Sequence, residues 1–419
     1  MKRFAVKQRQ ENAFCWNSYS LAGATSARCP NRKMPGYGDR LLVADAFDDS
    51  DSSKGTMLWR RKSGQQEWEK QEILERSYRY NFDGSWVKCG YGGICADEEH
   101  GALVFFSNDT YWKKGDFETI KRYRKLYYRL SFDNGYTWTD KRYLQLEGVD
   151  EEGVPFDGDH FLKQVQFGVN SAAFVGNSLT QTKDGAILTG VHVQQATPDG
   201  QLIEPCGFMF LKSASLRGMW DATRNDYRWE QSAYIGVSPE ESTRGLFEPC
   251  IVPLEEGKLL MFLRASNMGN EELLGTKYFC LSHDDGRHWS KPCRVLYDDG
   301  EPAYSSSSIP KLIRHSSGAI FFVGILNEQN PSGNLPRDRL CIAQVNPDTG
   351  RIFRESVCVV DNRQSITKNT KETYLLDFSN HCVFEEDSGD LRVIAPFRKN
   401  LSRYESGMNA YLIEVAEQI

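Results

Sequence analysis

Leu130-Ser131-Phe132-Asp133-Asn134-Gly135-Tyr136-Thr137-Trp138 and Leu281-Ser282-His283-Asp284-Asp285-Gly286-Arg287-His288-Trp289 follow one pattern, Ser-x-Asp-x-Gly-x-x-Trp. Its chemistry is that of a locked hairpin turn. The carboxylate accepts backbone N–H groups, the glycine takes the positive φ, and the tryptophan packs the turn between strands. Weaker echoes are Arg61-Lys62-Ser63-Gly64-Gln65-Gln66-Glu67-Trp68 and Asn346-Pro347-Asp348-Thr349-Gly350-Arg351-Ile352-Phe353. Copies of one turn within one chain point to a repeat, and a repeat outranks local propensity in deciding a fold.

A second repeat frames the first. A turn glycine followed by a mostly apolar run recurs at Gly38, Gly101, Gly185, Gly257, Gly318 and Gly389, at intervals of 63, 84, 72, 61 and 71 residues. Short, partly apolar segments precede most of these glycines, as in Cys250-Ile251-Val252-Pro253-Leu254. Segment, polar turn and segment make a β-hairpin. The intervals leave room for two further strands per unit, so the expected fold is all-β: a six-bladed β-propeller of four-stranded antiparallel blades, one domain over residues 1–419. Asn409-Ala410-Tyr411-Leu412-Ile413-Glu414-Val415 is expected to be the third strand of the last blade. The segment near Phe4 to Val6 would add its outer strand and close the ring, which shields sheet edges.

Composition agrees with strands and turns. Aromatic residues make up 12% of the chain and glycine occurs 35 times. A net charge of -6 argues against nucleic acid as partner, although it allows a small anion in a locally basic pocket. The eleven cysteines lack metal-ligand spacing and are expected to be reduced. The first residues, MKRFAVKQRQENAF, do not resemble a signal peptide, and no stretch is apolar enough to span a membrane. A cytoplasmic location is the expectation, or a secreted or periplasmic one if a leader has been removed. No cofactor and no metal are expected; His160 with Asp157 and Asp159 is a loose cluster without ligand spacing.

The Ser-x-Asp-x-Gly-x-x-Trp boxes are similar to those of the sialidase (neuraminidase) superfamily, and the chain resembles that family over nearly its whole length. The resemblance implies a site at the centre of one propeller face and an exo-acting glycoside hydrolase. Its partner would be a glycan or small acidic sugar, with sialic acid leading. It assigns three arginines to the substrate carboxylate. Arg28, in Arg28-Cys29-Pro30, stands ten before Gly38, and Arg264 stands seven after Gly257. Arg337 precedes an outer strand, with Arg339 as the alternative. Glu248, nine before Gly257, would polarise a nucleophile. The family's tyrosine nucleophile falls nine before the last repeat glycine, where this chain has Asn380. Tyr374 takes its place as candidate, with Tyr304 as another. Among Asp48, Asp49 and Asp51, the last is the candidate general acid.

Guanidinium groups suit this task because they make fixed, two-pronged contacts with carboxylates. Arg264 ends a run of five apolar residues, so it should be buried and should want a partner, which Glu248 supplies. Seven after the other repeat glycines stand Asp45, Asn108, His192, Ile325 and Pro396, and Asp45, His192 and Asn380 join the expected substrate-binding set. Two other functions remain open: a propeller enzyme acting on another glycan, and a carbohydrate-binding propeller without turnover.

Overall fold

A computed structural model describes residues 1–15, 20–47, 53–79, 86–112, 123–148, 172–195, 197, 201–362, 377–396 and 407–417. Six antiparallel sheets surround a central axis, and no α-helix occurs among the described residues. From the axis outward, blade one is Ser20–Arg28, Arg40–Phe47, Ser53–Arg61 and Glu69–Arg76. Blade two is Trp86–Asp97, Ala102–Trp112, Tyr123–Ser131 and Arg142–Tyr143, with Tyr78–Arg79 on its inner edge. Blade three is Ala172–Gln181, Ile187–Gln194, Leu211–Asp221 and Asp226–Gln231. Blade four is Phe247–Pro253, Leu259–Arg264, Tyr278–Ser282 and Cys293–Arg294. Blade five is Lys311–Arg314, Ile320–Ile325, Arg339–Val345 and Cys358–Asn362. Blade six is Cys382–Glu385, Leu391–Pro396, Met408–Glu417 and the N-terminal Lys2–Phe14. The first strand therefore closes the ring, pairing Phe4 with Val415 and Val6 with Ile413, as expected.

The second strand of each unit is buried along almost its whole described length because both faces of every blade are covered. In Leu259–Arg264, Leu259, Met261 and Leu263 pack toward blade three, and Leu260 and Phe262 toward blade five. Alternate side chains of one strand thus enter different seams. Among the described residues the buried apolar side chains fall into six clusters, one at each seam between neighbouring blades.

The Asp boxes lock these seams. Asp133 accepts the Thr137 N–H at 2.8 Å, and the Ser131 hydroxyl accepts the Gly135 N–H at 2.7 Å. Asp284 and Ser282 repeat the arrangement with His288 and Gly286 at 2.9 and 3.0 Å. Gly135 and Gly286 have φ of 85° and 84°. A Cβ on Gly135 would stand 2.5 Å from Leu41 of blade one, so the turn needs glycine for space as well as for φ. Trp289 donates to the Ser215 hydroxyl of blade three at 2.9 Å. The boxes brace neighbouring blades at the outer turns.

The innermost strands share another device. Each of blades one, two and four has a bulge at the same height, between Ala22 and Thr25, Gly90 and Gly93, and Phe247 and Cys250. Facing the residue before each bulge are Asp45, Asn108 and Arg264, the positions seven after the repeat glycine. Bulges re-aim side chains and end regular pairing.

Candidate functional site

The bulge of blade four turns the backbone of Glu248 into the left-handed region, with φ 49°. That conformation is costly for a residue with a Cβ, and it marks a place where the surroundings impose the geometry. The imposing partner is Arg264, at the end of the next strand. Its Nη1 donates to both Glu248 carboxylate oxygens, at 2.8 and 2.7 Å. Its Nε donates to the Ser307 hydroxyl at 2.9 Å and its Nη2 to Asn334 Oδ1 at 3.0 Å. All three guanidinium nitrogens are engaged, and the residue is buried.

Arg337 joins from the segment entering the third strand of blade five. Its Nη2 donates to the Ser307 carbonyl, and its Nη1 lies 3.4 Å from Asp377. One short segment of blade five thus touches Arg264 through its hydroxyl and Arg337 through its carbonyl. Arg339 points elsewhere, to the Leu326 carbonyl at 2.8 Å. Of the two candidates, Arg337 is the one beside Arg264.

Arg244 completes the group. It was invisible to the repeat register because it lies in a loop, four residues before Glu248. Its backbone is pinned to blade three: Leu211 N–H donates to the Arg244 carbonyl at 3.0 Å, and Leu246 N–H to the Leu211 carbonyl at 3.0 Å. Gly245 makes this possible, because a Cβ there would stand 2.1 Å from the Leu211 carbonyl oxygen. The Arg244 guanidinium lies 4.9 Å from the Phe247 ring centre and 5.4 Å from that of Phe208, while Arg264 lies 4.6 Å from Phe247. No carboxylate among the described residues pairs with Arg244, and its Nε is buried without a partner, as is Nε of Arg337.

The electrostatics follow from this crowding. Burial works to raise the Glu248 pKa, but the charge and hydrogen bonds of Arg264, and then the charge of Arg337, hold it below the ordinary carboxylate range. Glu248 stays ionised. Burial pushes the His192 pKa down to about 3, helped by Arg264 and Arg244 and opposed by Glu248. His192 is therefore a neutral ring, with Nδ1 3.4 Å from the Glu248 N–H. Burial, and then Arg264 and Arg337, push Lys277 well below its usual value, while its Nζ donates to the Ser306 carbonyl at 2.7 Å. Burial lowers Arg244 to about 10, with Arg264 beside it, and also lowers Arg337. Arg244, Arg264 and Arg337 against the carboxylates of Glu248 and Asp377 leave one positive charge in excess among these five described residues.

Of the other expected residues, Arg28 lies at the opposite end of its blade from the bulge. Arg28 needs correction. It ends its strand opposite Arg40, at the turn end of blade one, whereas Glu248 and Arg264 occupy the other end of blade four. It pairs there with Asp387. The hairpin loop of blade one is long, spanning residues 29–39, so spacing from Gly38 misjudged which end of the strand Arg28 occupies. Asp45 is fully buried, accepting from the Thr56 hydroxyl at 2.5 Å and the Gly92 N–H at 3.2 Å, and so it ties blade one to the bulge of blade two. Asn380, with φ 66°, starts blade six and accepts the Gly23 N–H at 3.1 Å through its carbonyl. Asp51 and Tyr374 lie outside the described residues, as do Asp157, Asp159 and His160.

The sequence profile of the BNR repeat-like domain matches residues 40–393. The chain belongs to the BNR repeat-like family. Solved structures carry the same fold at low identity. A Trypanosoma rangeli sialidase in complex with the inhibitor DANA is 13% identical, with a TM-score of 0.57. That match covers 94% of this chain and 55% of the other, so the chain spans about half the length of that sialidase. The K499G mutant of the NanB sialidase of Streptococcus pneumoniae is 11% identical, with a TM-score of 0.60, over 96% of this chain and 71% of that one. The intramolecular trans-sialidase of Ruminococcus gnavus, in complex with oseltamivir carboxylate, is 12% identical with a TM-score of 0.56. There the coverage is 98% of this chain and 96% of the other. No curated protein matches the chain in sequence. This BNR repeat-like protein therefore has a sialidase-like fold, and no helix among its described residues is long and apolar enough to cross a membrane.

Proposed function

We propose that the protein is an exo-acting glycoside hydrolase of the sialidase type, acting on glycans that end in an acidic sugar, with sialic acid as the leading candidate. The observation that carries this is the positive charge of Arg244, half-buried and with no carboxylate paired to it among the described residues, beside Arg264 and Arg337. A buried cation without a counterion favours an anionic ligand. A carboxylate on a sugar ring fits the two-pronged geometry of guanidinium groups. In this proposal Arg244 takes the part first expected of Arg28.

Glu248 is suited to polarise a nucleophile and poorly suited to accept a proton, because Arg264 holds its pKa low. The candidate nucleophile is Tyr374, in keeping with the tyrosine chemistry of sialidases, and the candidate acid for the leaving sugar is Asp51. His192, neutral under Glu248, orients the glutamate and stays outside proton transfer.

A second function is favoured by one observation: Asn380 stands where the family's register puts its tyrosine. An amide forms no glycosyl–aryl intermediate, so a sugar-binding propeller without turnover, or one with other glycan chemistry, fits that residue. One experiment separates these. Fluorogenic sialosides and uronides are incubated with the full chain and with Glu248→Gln and Tyr374→Phe. Release from sialosides, lost in both variants, is the expected result. Release from uronides alone favours other glycan chemistry, and binding without release favours the non-catalytic propeller.

A further inference from the structure

The turn face of the ring, opposite Glu248 and Arg264, holds a second basic cavity. It lies between blades one and six and encloses about 290 Å³. Arg28, Arg40, Arg61, Lys62 and Arg392 line it, against the carboxylates of Glu386 and Asp387. Five cations against two anions leave an excess of three positive charges around one small space.

The pairing shows where the excess sits. Glu386 is shared, accepting from Arg61 Nη1 and Arg392 Nε at 2.9 Å each. Asp387 pairs with Arg28, whose side chain is half exposed. Lys62 reaches out to Glu69 at 3.1 Å. Arg40 has no such partner among the described residues. It is 8% exposed, lies 4.4 Å from the Phe384 ring centre, and donates Nη2 to the Glu385 carbonyl at 2.8 Å. Burial, with Arg28 and Arg61 alongside, lowers its pKa to about 10. A buried guanidinium satisfied by one neutral carbonyl, at the wall of a cavity, lacks a counterion. Neutral donors share the wall, among them Ser63, Gln65 and Ser388.

We propose that this cavity binds a tetrahedral oxyanion, phosphate or sulfate, free or carried as a sugar ester. Several arginines around one point favour a group with three or more oxygens and more than one charge over a single carboxylate. The volume is near the lower bound of about 300 Å³ for small-molecule sites, which leaves room for the sugar of an ester. The anion would bridge blade one and blade six, the blade whose outer strand the N-terminal segment supplies, so binding would stabilise the ring by mass action. This site is independent of the hydrolase function proposed above.

Thermal unfolding of the full chain tests it, with sodium phosphate titrated against sodium chloride at matched ionic strength. Phosphate is expected to raise Tm saturably. Arg28→Ala and Arg40→Gln should each weaken the apparent affinity by about tenfold or more, and Arg244→Ala should leave it unchanged. Arg28→Ala alone decides the matter if Arg40→Gln does not fold. Glucose 6-phosphate and glucose 6-sulfate run in parallel: tighter binding than the inorganic ions assigns the site to an ester, equal binding to the free ion. A phosphate effect no larger than that of chloride overturns the proposal. So does an unchanged affinity in Arg28→Ala, or a loss confined to Arg244→Ala.

Discussion

In blade four the residue facing the start of the inner-strand bulge is Arg264, which pairs with Glu248 and reaches out to Ser307 and Asn334. In blade one it is Asp45, closed off by the Thr56 hydroxyl and the Gly92 N–H. The two positions are equivalent in strand register and differ in what their neighbours leave unsatisfied. Asp45 is completed by its own blade and the next one and becomes part of a seam. Arg264 is completed by Glu248, Ser307 and Asn334, but it stands beside Arg244 and Arg337, and in the function proposed above the excess positive charge of that group is met by a sugar carboxylate. Repetition in a propeller tells where a side chain is presented; the charge balance around it tells what it does there.

The largest expected effect is on stability at Arg264. Arg264→Met leaves Glu248 ionised and buried without its cation, at a cost of about 3–5 kcal/mol in denaturant unfolding. Asp45→Asn, which keeps shape and loses only charge-assisted bonds, should cost about 1–3 kcal/mol. Adding Glu248→Gln to Arg264→Met should recover part of the loss. A double variant as unstable as the single one breaks the comparison, because the stranded carboxylate would then not be the cause.

Arg244 sharpens it from the other side. Because Arg244 has no carboxylate paired to it among the described residues, Arg244→Ala should change stability by no more than about 1 kcal/mol, the scale of its contact with Phe247. Its affinity for an acidic sugar, measured by calorimetry, should fall on the order of 10- to 100-fold. Large destabilisation with unchanged affinity would make Arg244 a structural residue like Asp45.

The pH dependence adds a third, smaller effect. Burial depresses the His192 pKa to about 3, against about 6.5 in an unfolded chain. Below about pH 6.5 the unfolded chain binds the proton and the folded one does not, so stability is lost as pH falls from there toward 3. His192→Gln should flatten this fall by about 1.4 kcal/mol per pH unit in unfolding measured between pH 6 and 4. Glu248, also depressed, adds to the fall only below about pH 4.3, the unfolded value for a glutamate. An unchanged slope in His192→Gln would mean that the ring is protonated in the folded protein.

The smallest effect belongs to the Asp boxes. Partial burial acts to raise Asp133 and Asp284, but the hydrogen bonds of their own turns lower both. Asp133→Ala and Asp284→Ala should each cost about 0.5–1.5 kcal/mol near neutral pH and leave sugar affinity untouched. A change in affinity would move the boxes from bracing to function.

Much of this architecture is legible in the sequence because it depends on local rules. A turn glycine before an apolar run marks each hairpin, the Asp boxes mark their turns, and the run ending in Arg264 shows a buried cation needing Glu248. Spacing failed where chain length between strands varies. The long loop after Arg28 displaced that residue to the wrong end of its blade. Arg244 was missed because a loop residue has no place in the strand register, and its position depends on the close backbone approach of Gly245 to Leu211. Asp45 shows a further limit: its register was right, and one of its partners, the Gly92 N–H, comes from the next blade, 47 residues on.

The convergence of Arg244, Arg264 and Arg337 on a sugar carboxylate is tested most directly by calorimetric titration of the full chain with sialic acid and, separately, with its methyl ester. The acid should bind and the ester should bind at least about tenfold more weakly, with Arg244→Ala binding both alike. Equal affinity of the wild-type chain for acid and ester, or no binding of either, would show that these guanidinium groups do not hold a sugar carboxylate.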